Sequence, residues 1–154
     1  MLKPSLFIFR LLPKHLADLS KIFSAISCDP TARNFHPHSF TVEYAKNIVA
    51  YQGRDLYLGA FDTSGMIGYG MLRGWDAGYE VPSLGIYLVP TSRGRGLSKT
   101  FMSEMHSHAF ENGALRIRLK VYSTNVAARR LYEQLGYIFE PEEAGQLVGY
   151  LNLG

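Results

Sequence analysis

Cysteine is almost missing from this chain: Cys28 stands alone among 154 residues. A single thiol excludes an intrachain disulfide framework and a multi-cysteine zinc site, and it suits a reducing cytoplasm. Long apolar runs are missing too, since no window approaches the roughly 20 apolar residues that a membrane-spanning helix needs. The N-terminal stretch Leu6-Phe7-Ile8-Phe9 is cut by Arg10 and Pro13 before a secretory core is complete, so it reads as a first strand. Charge of one sign is scarce: 16 Lys and Arg against 13 Asp and Glu give a formal net charge of +3. The basic residues cluster only at Arg93/Arg95, Arg116/Arg118/Lys120 and Arg129/Arg130. Clusters of that size suit an anionic small ligand, and without a longer basic face no nucleic-acid partner is expected. No internal repeat or low-complexity segment is present.

What is there is an apolar content of 47%, enough for one domain with a real core and too short a chain for two ordinary ones, so residues 1–154 are expected to form a single domain. Phe7 to Leu11 reads as a strand. Pro13 followed by Leu16, Leu19, Ile22, Phe23 and Ile26 has helical spacing, with proline near the first turn. A polar, proline-punctuated connection from Cys28 to His38 leads to Thr41, which caps a second helix over 42–50. Leu56 to Phe61 and Met66 to Arg73 flank Asp62-Thr63-Ser64-Gly65 and predict an antiparallel hairpin. A loop at Gly74 to Gly78 precedes a strand from about Pro82 to Val89, which Pro90 stops by withholding a ladder donor.

A third helix runs from Leu97 through Phe101, Met102, Met105 and Ala109 to Asn112-Gly113. Ile117 to Val121 alternates as a strand. Asn125 caps a fourth helix whose face is Ala128, Leu131, Tyr132 and Leu135, and strands at Tyr137 to Glu140 and Leu147 to Leu151 follow. The expected class is α+β: a single mixed, mostly antiparallel central sheet flanked by about four helices.

Between the strand ending at Val89 and the helix opening at Leu97 lies Ser92-Arg93-Gly94-Arg95-Gly96-Leu97-Ser98. Two glycines let the backbone approach a ligand, and a helix N-terminus aims unpaired N–H groups at one point. With two arginines added, phosphate or pyrophosphate is the natural guest. Alone, the loop reads equally as a glycine-rich turn with solvated arginines. It is not a nucleotide P-loop, and Lys99 stands where a dinucleotide-binding Gly-x-Gly-x-x-Gly would need its third glycine.

Asn125-Val126-Ala127-Ala128-Arg129-Arg130-Leu131-Tyr132-Glu133-Gln134-Leu135-Gly136-Tyr137 resolves the ambiguity. Taken with the loop upstream, it resembles the GNAT superfamily of acetyl-coenzyme A dependent N-acetyltransferases. That family shows a strand, an Arg-Gly-x-Gly loop, a helix, a strand, then Asn-x-x-Ala-x-x-Leu-Tyr-x-x-x-Gly-Tyr/Phe. The resemblance covers roughly Leu56 to Glu140 well and the N-terminal third loosely. One departure is Thr91, where the family often carries Gln or Arg three residues before the first loop glycine. A backbone-held pyrophosphate tolerates that loss.

The resemblance implies a GNAT-like fold and an acetyl-coenzyme A co-substrate without a metal. It implies that Arg93, Gly94, Arg95, Gly96, Leu97 and Ser98 hold the pyrophosphate, that the backbones of Ile86 and Leu88 pair with the pantetheine arm, and that Asn125 and Ala128 contact the cofactor. Direct transfer to a primary amine needs a proton for the leaving thiolate. Tyr132 matches the family's tyrosine for that role and lies seven residues, two helical turns, past Asn125. Glu80, the only acid between Asp76 and Glu104, is the default base, acting through water.

Phe35, His36, His38 and Trp75 are expected to rim the acceptor pocket, because the family builds that pocket near the loop between the first two helices. Two histidines without a nearby acid or cysteine are too few for a metal. Cys28 is placed by no motif, so a covalent acetyl-cysteine route has no support. The expected acceptor is a small-molecule amine such as an amino sugar, polyamine or amino-acid derivative. The alternatives are protein N-terminal or lysine acetylation and a non-catalytic acyl-coenzyme A binding module, and a homodimer is left open.

Overall fold

Seven strands and four helices follow one another along the chain in the computed structural model, which describes residues 5–32 and 35–154, leaving the side chains of residues 141–143 outside the description. Met1 to Pro4, at the front of the N-terminal apolar stretch, and Arg33 and Asn34 of the first connection therefore lie outside the described residues. The strands are β1 (Phe7–Arg10), β2 (Leu56–Asp62), β3 (Gly65–Arg73), β4 (Ser83–Leu88), β5 (Arg116–Tyr122), β6 (Ile138–Glu143) and β7 (Gln146–Asn152). The helices are α1 (Leu16–Cys28), α2 (Val42–Val49), α3 (Leu97–Glu111) and α4 (Val126–Gln134).

Local chemistry sets most of these boundaries. Pro13 opens a 3-10 turn over Pro13–His15, so α1 starts at Leu16, the first residue of its apolar spacing, and the proline lies ahead of its first turn. The Thr41 hydroxyl accepts the Tyr44 N–H at 3.1 Å and starts α2. At the end of α3, the Ala114 N–H reaches back to the Ala109 carbonyl at 3.0 Å, closing the turn that Asn112-Gly113 announces.

The sheet order is β1-β2-β3-β4-β5-β7-β6, and every neighbouring pair is antiparallel except β4 and β5. Two cores lie on its two faces. Leu19, Ile22 and Phe23 of α1 and Ile48 of α2 pack with Tyr57, Tyr69 and Met71. Phe101, Met102 and Met105 of α3 pack with Leu58, Leu72, Leu84 and Ile117. No helix among the described residues is long and apolar enough to cross a membrane.

Phe101 is fully buried at the centre of the second core. Phe101→Ala is expected to destabilise the fold by about 3–5 kcal/mol, read as a lower midpoint in urea denaturation.

Candidate functional site

The parallel pair β4 and β5 meets at one register position, Ser83 opposite Arg118, and then diverges. Two hydrogen bonds fix which backbone groups of β4 face the gap. The Val89 N–H donates to Ile67 on the β3 side at 2.9 Å, while the Arg118 N–H donates to Pro82 on the β5 side at 3.0 Å. Backbone polar groups alternate sides along an extended strand, so Ile86 and Leu88 share the side of Pro82. Beyond the single bridge no strand among the described residues meets them. The gap widens into a cleft of about 520 Å³ lined by Ile86 and Leu88, by Lys120 and Tyr122 of β5, and by Leu131 and Tyr132 of α4.

The glycine loop closes one end. Gly94 and Gly96 sit at φ 78° and 74°, a left-handed conformation that side chains resist, and a Cβ on either would meet open space. Gly96 is the N-cap of α3 and supplies no side-chain cap. The first N–H groups of α3, at Leu97, Ser98 and Lys99, are thus left to an external acceptor. Ser98 lines the cleft, whereas the Leu97 side chain is buried in the core.

The two arginines differ sharply. Arg95 is half-exposed, with a loose 3.7 Å approach to Asp62. Arg93 lines the cleft and is anchored there, each nitrogen of its guanidinium donating one hydrogen bond within the fold. Its Nε donates to the Leu88 carbonyl at 3.0 Å, one Nη to the Thr31 hydroxyl at 2.7 Å and the other to the Asp29 carboxylate at 2.8 Å, with the Tyr87 ring beneath it at 5.4 Å. The Leu88 carbonyl thus already accepts one hydrogen bond, and its N–H stays open to a ligand. Burial of Asp29 by itself favours the neutral acid. Hydrogen bonds from Thr31, Tyr87 and Arg93 outweigh it and hold the carboxyl at about 2. Burial and the bond to Asp29 push the Tyr87 hydroxyl up to about 12.

On the opposite wall, Asn125 accepts the Ala128 N–H at 3.2 Å and caps α4, which brings Asn125, Ala128 and Tyr132 to the cleft together. Tyr132 packs against Tyr137 at 5.8 Å between ring centroids, and its hydroxyl makes no hydrogen bond among the described residues. Burial raises its pKa, so it stays a proton donor at neutral pH.

Glu80 is not beside Tyr132. It is exposed and lines a second cavity, of about 960 Å³, that also takes in Arg73, Arg116 and Arg118. The two cavities abut along β4, where Gly85 lines one and Ile86 the other.

The four rim residues separate. Phe35 lines the cleft and lies parallel to Tyr87 at 6.0 Å. His36 is exposed in a different hollow beside Cys28 and Phe40. His38 is a correction: it turns inward, with one ring nitrogen 2.8 Å from the Tyr69 hydroxyl, the other 2.7 Å from the Ser39 carbonyl, and its ring stacked on Tyr44 at 4.1 Å. Burial lowers its pKa, and neither cavity includes it. Trp75 is also a correction, being buried in the core with 5% exposure.

Sequence reasoning missed Asp29, Thr31 and Tyr87, which carry no signal until Arg93 reaches them. It noted Arg116/Arg118/Lys120 as a basic cluster without assigning it a place. The β5 alternation held that clue, because Ile117, Leu119 and Val121 are buried and their neighbours must face the other way.

A family model described as acetyltransferase (GNAT) domain matches residues 8–138. Over 73 residues the chain is 37% identical to an uncharacterized N-acetyltransferase of Mycobacterium tuberculosis (strain ATCC 25618 / H37Rv), a match covering 47% of this chain and 46% of that protein. The chain thus spans about half the length of the curated relatives it matches. A GNAT-family acetyltransferase from Streptococcus pneumoniae superposes with a TM-score of 0.80 at 20% identity, over 97% of this chain and 100% of that one. The PaiA N-acetyltransferase from Thermoplasma acidophilum, solved in complex with coenzyme A, superposes with a TM-score of 0.75 at 22% identity, over 96% and 99%.

The Asp29 clamp has a pH signature. Its folded-state pKa of about 2 lies below the ordinary 3.8, so its stabilisation is complete above the unfolded value and drains away as pH falls from 3.8 toward about 2. Asp29→Asn is expected to lower stability at neutral pH and to flatten this acid limb, measured by denaturant titration across pH.

Proposed function

The chain belongs to the acetyltransferase (GNAT) domain family, and from that premise we propose that it is an acetyl-coenzyme A dependent N-acetyltransferase, passing the acetyl group directly to a primary amine of a small molecule. The observation that carries this reading is the divergence of β4 from β5 into a cleft that ends on an uncapped helix and is walled by a protonated tyrosine.

The residues fit coenzyme A. An extended, amide-bearing arm can bond the Ile86 backbone and the Leu88 N–H as an added strand would. A pyrophosphate suits the N–H groups of Leu97, Ser98 and Lys99, where the α3 dipole is positive and Gly94 and Gly96 keep the approach open. Arg95 and Lys120 add positive charge at the rim, while Arg93 holds the cleft's shape. Bound there, acetyl-coenzyme A supplies a thioester whose carbonyl carbon takes the amine nitrogen as the carbon–sulfur bond breaks. Tyr132 gives its hydroxyl proton to the departing thiolate. Glu80 takes the amine's proton through water, from the neighbouring cavity. The exposed lone thiol suits a cytoplasmic setting.

Tyr132→Phe is expected to lower kcat by about 10²- to 10⁴-fold in thiol-release assays over a panel of amines, with calorimetric affinity for coenzyme A retained. Since burial raises the Tyr132 pKa, deprotonation of Tyr132 is expected to add no descending limb to the wild-type rate at neutral pH. Glu80→Gln is expected to cost more at pH 7 than at pH 9, where more of the amine is already neutral. Tight coenzyme A binding with no turnover of any amine would leave a binding module instead of an enzyme.

A further inference from the structure

We propose that the acceptor is an amino carboxylate, its carboxylate held by Arg118 with Arg73 and Arg116 beside it, in the cavity that Glu80 also lines. This rests on the acetyltransferase reading and names its acceptor class. The cavity of about 960 Å³ sets three arginines against two acids. One of those acids is spent, because Asp55 is buried and its Oδ1 accepts the Gly74 N–H at 3.0 Å and the Asp76 N–H at 3.3 Å. None of the three arginines forms an ion pair among the described residues. Arg73 donates to the neutral Pro37 carbonyl at 2.7 Å, and Arg116 lies over the Tyr150 ring at 4.4 Å.

Arg118 carries the specific signal. Its backbone is pinned at the one bridge between β4 and β5, and its Nε is buried without a hydrogen-bond partner among the described residues. Buried donors are nearly always paired in native proteins. The Nε edge of a guanidinium presents two parallel N–H groups, which a carboxylate accepts with both oxygens. A carboxylate paired with the guanidinium balances the surplus charge, and a rotation of the Arg118 side chain that turns its Nε edge to the cavity gives the orphan donor its partner as well. Glu80, the acid left uncommitted, suits the other end of the same molecule, its amine. A polyamine would instead bring several positive charges against three arginines, and a neutral amino sugar would leave the surplus uncompensated.

The test uses the intact protein saturated with coenzyme A, titrated calorimetrically with the common α-amino acids, β-alanine and 4-aminobutyrate, each beside its carboxamide, and with spermidine. At least one amino carboxylate is expected to bind about 10- to 100-fold more tightly than its carboxamide. Arg118→Gln is expected to erase that preference and Arg118→Lys to restore part of it, with circular dichroism checking the fold and Arg73→Gln as a second variant that weakens it. Equal binding of carboxylate and carboxamide, tighter binding of spermidine than of every amino carboxylate, or no binding of any probe overturns the proposal.

Thiol release from acetyl-coenzyme A with the same probes separates the two readings. Arg118-dependent carboxylate binding without turnover keeps the carboxylate site and sinks the acetyltransferase. Turnover indifferent to the carboxylate sinks the carboxylate site and keeps the acetyltransferase.

Discussion

Everything that gives this fold a use depends on β4 and β5 parting after one bridge. Parallel strands that begin side by side ordinarily continue their ladder, since each abandoned pair leaves backbone donors and acceptors to be met elsewhere. Here part of that debt is met by a side chain. Arg93, just past the end of β4, turns back onto the Leu88 carbonyl and reaches across to Asp29 and Thr31 behind α1. One guanidinium thereby occupies a position that β5 would otherwise contest and ties the edge of the gap to the opposite layer. The cleft lies beyond the bridge, and the larger cavity is lined by Ser83 and Arg118 of the bridge itself.

Electrostatics divide the two cavities. The cleft offers fixed dipoles: the first N–H groups of α3 and the alternating backbone of β4. Such groups recognise an extended, phosphate-bearing ligand with little dependence on side-chain identity, which accounts for Thr91 being compatible with the site. The larger cavity offers side chains instead, three arginines and Glu80 among them. Arg116 and Arg118 face that way because the intervening Ile117 is needed in the core.

How much of this was legible follows from the range of each interaction. Helices and strands came through within a few residues because apolar spacing, Thr41, Asn125 and Asn112-Gly113 act locally. The loop and the α4 face were legible as a pair, each a short motif whose geometry is set by its own residues. The anchoring of Arg93 was not legible because two of its three partners lie some sixty positions upstream, and nothing within the loop distinguishes it from Arg95. His38 and Trp75 were misjudged for a related reason. A polar or aromatic residue in a loop suggests a rim, but His38 finds Tyr69 and Trp75 finds the core, and both contacts are products of the tertiary fold.

The helix that carries Tyr132 is unlike α3 in one respect: its residues are at most partly buried, Tyr132 among them, while α3 sinks five side chains into the core. Its free energy of local opening should therefore sit near the bottom of the molecule's range, with amide hydrogens exchanging well before those of α3. A ligand lodged against Ala128, Leu131 and Tyr132 adds its binding free energy to the closed form alone. Through that linkage, Tyr132 becomes ordered in proportion to how well the cleft is occupied.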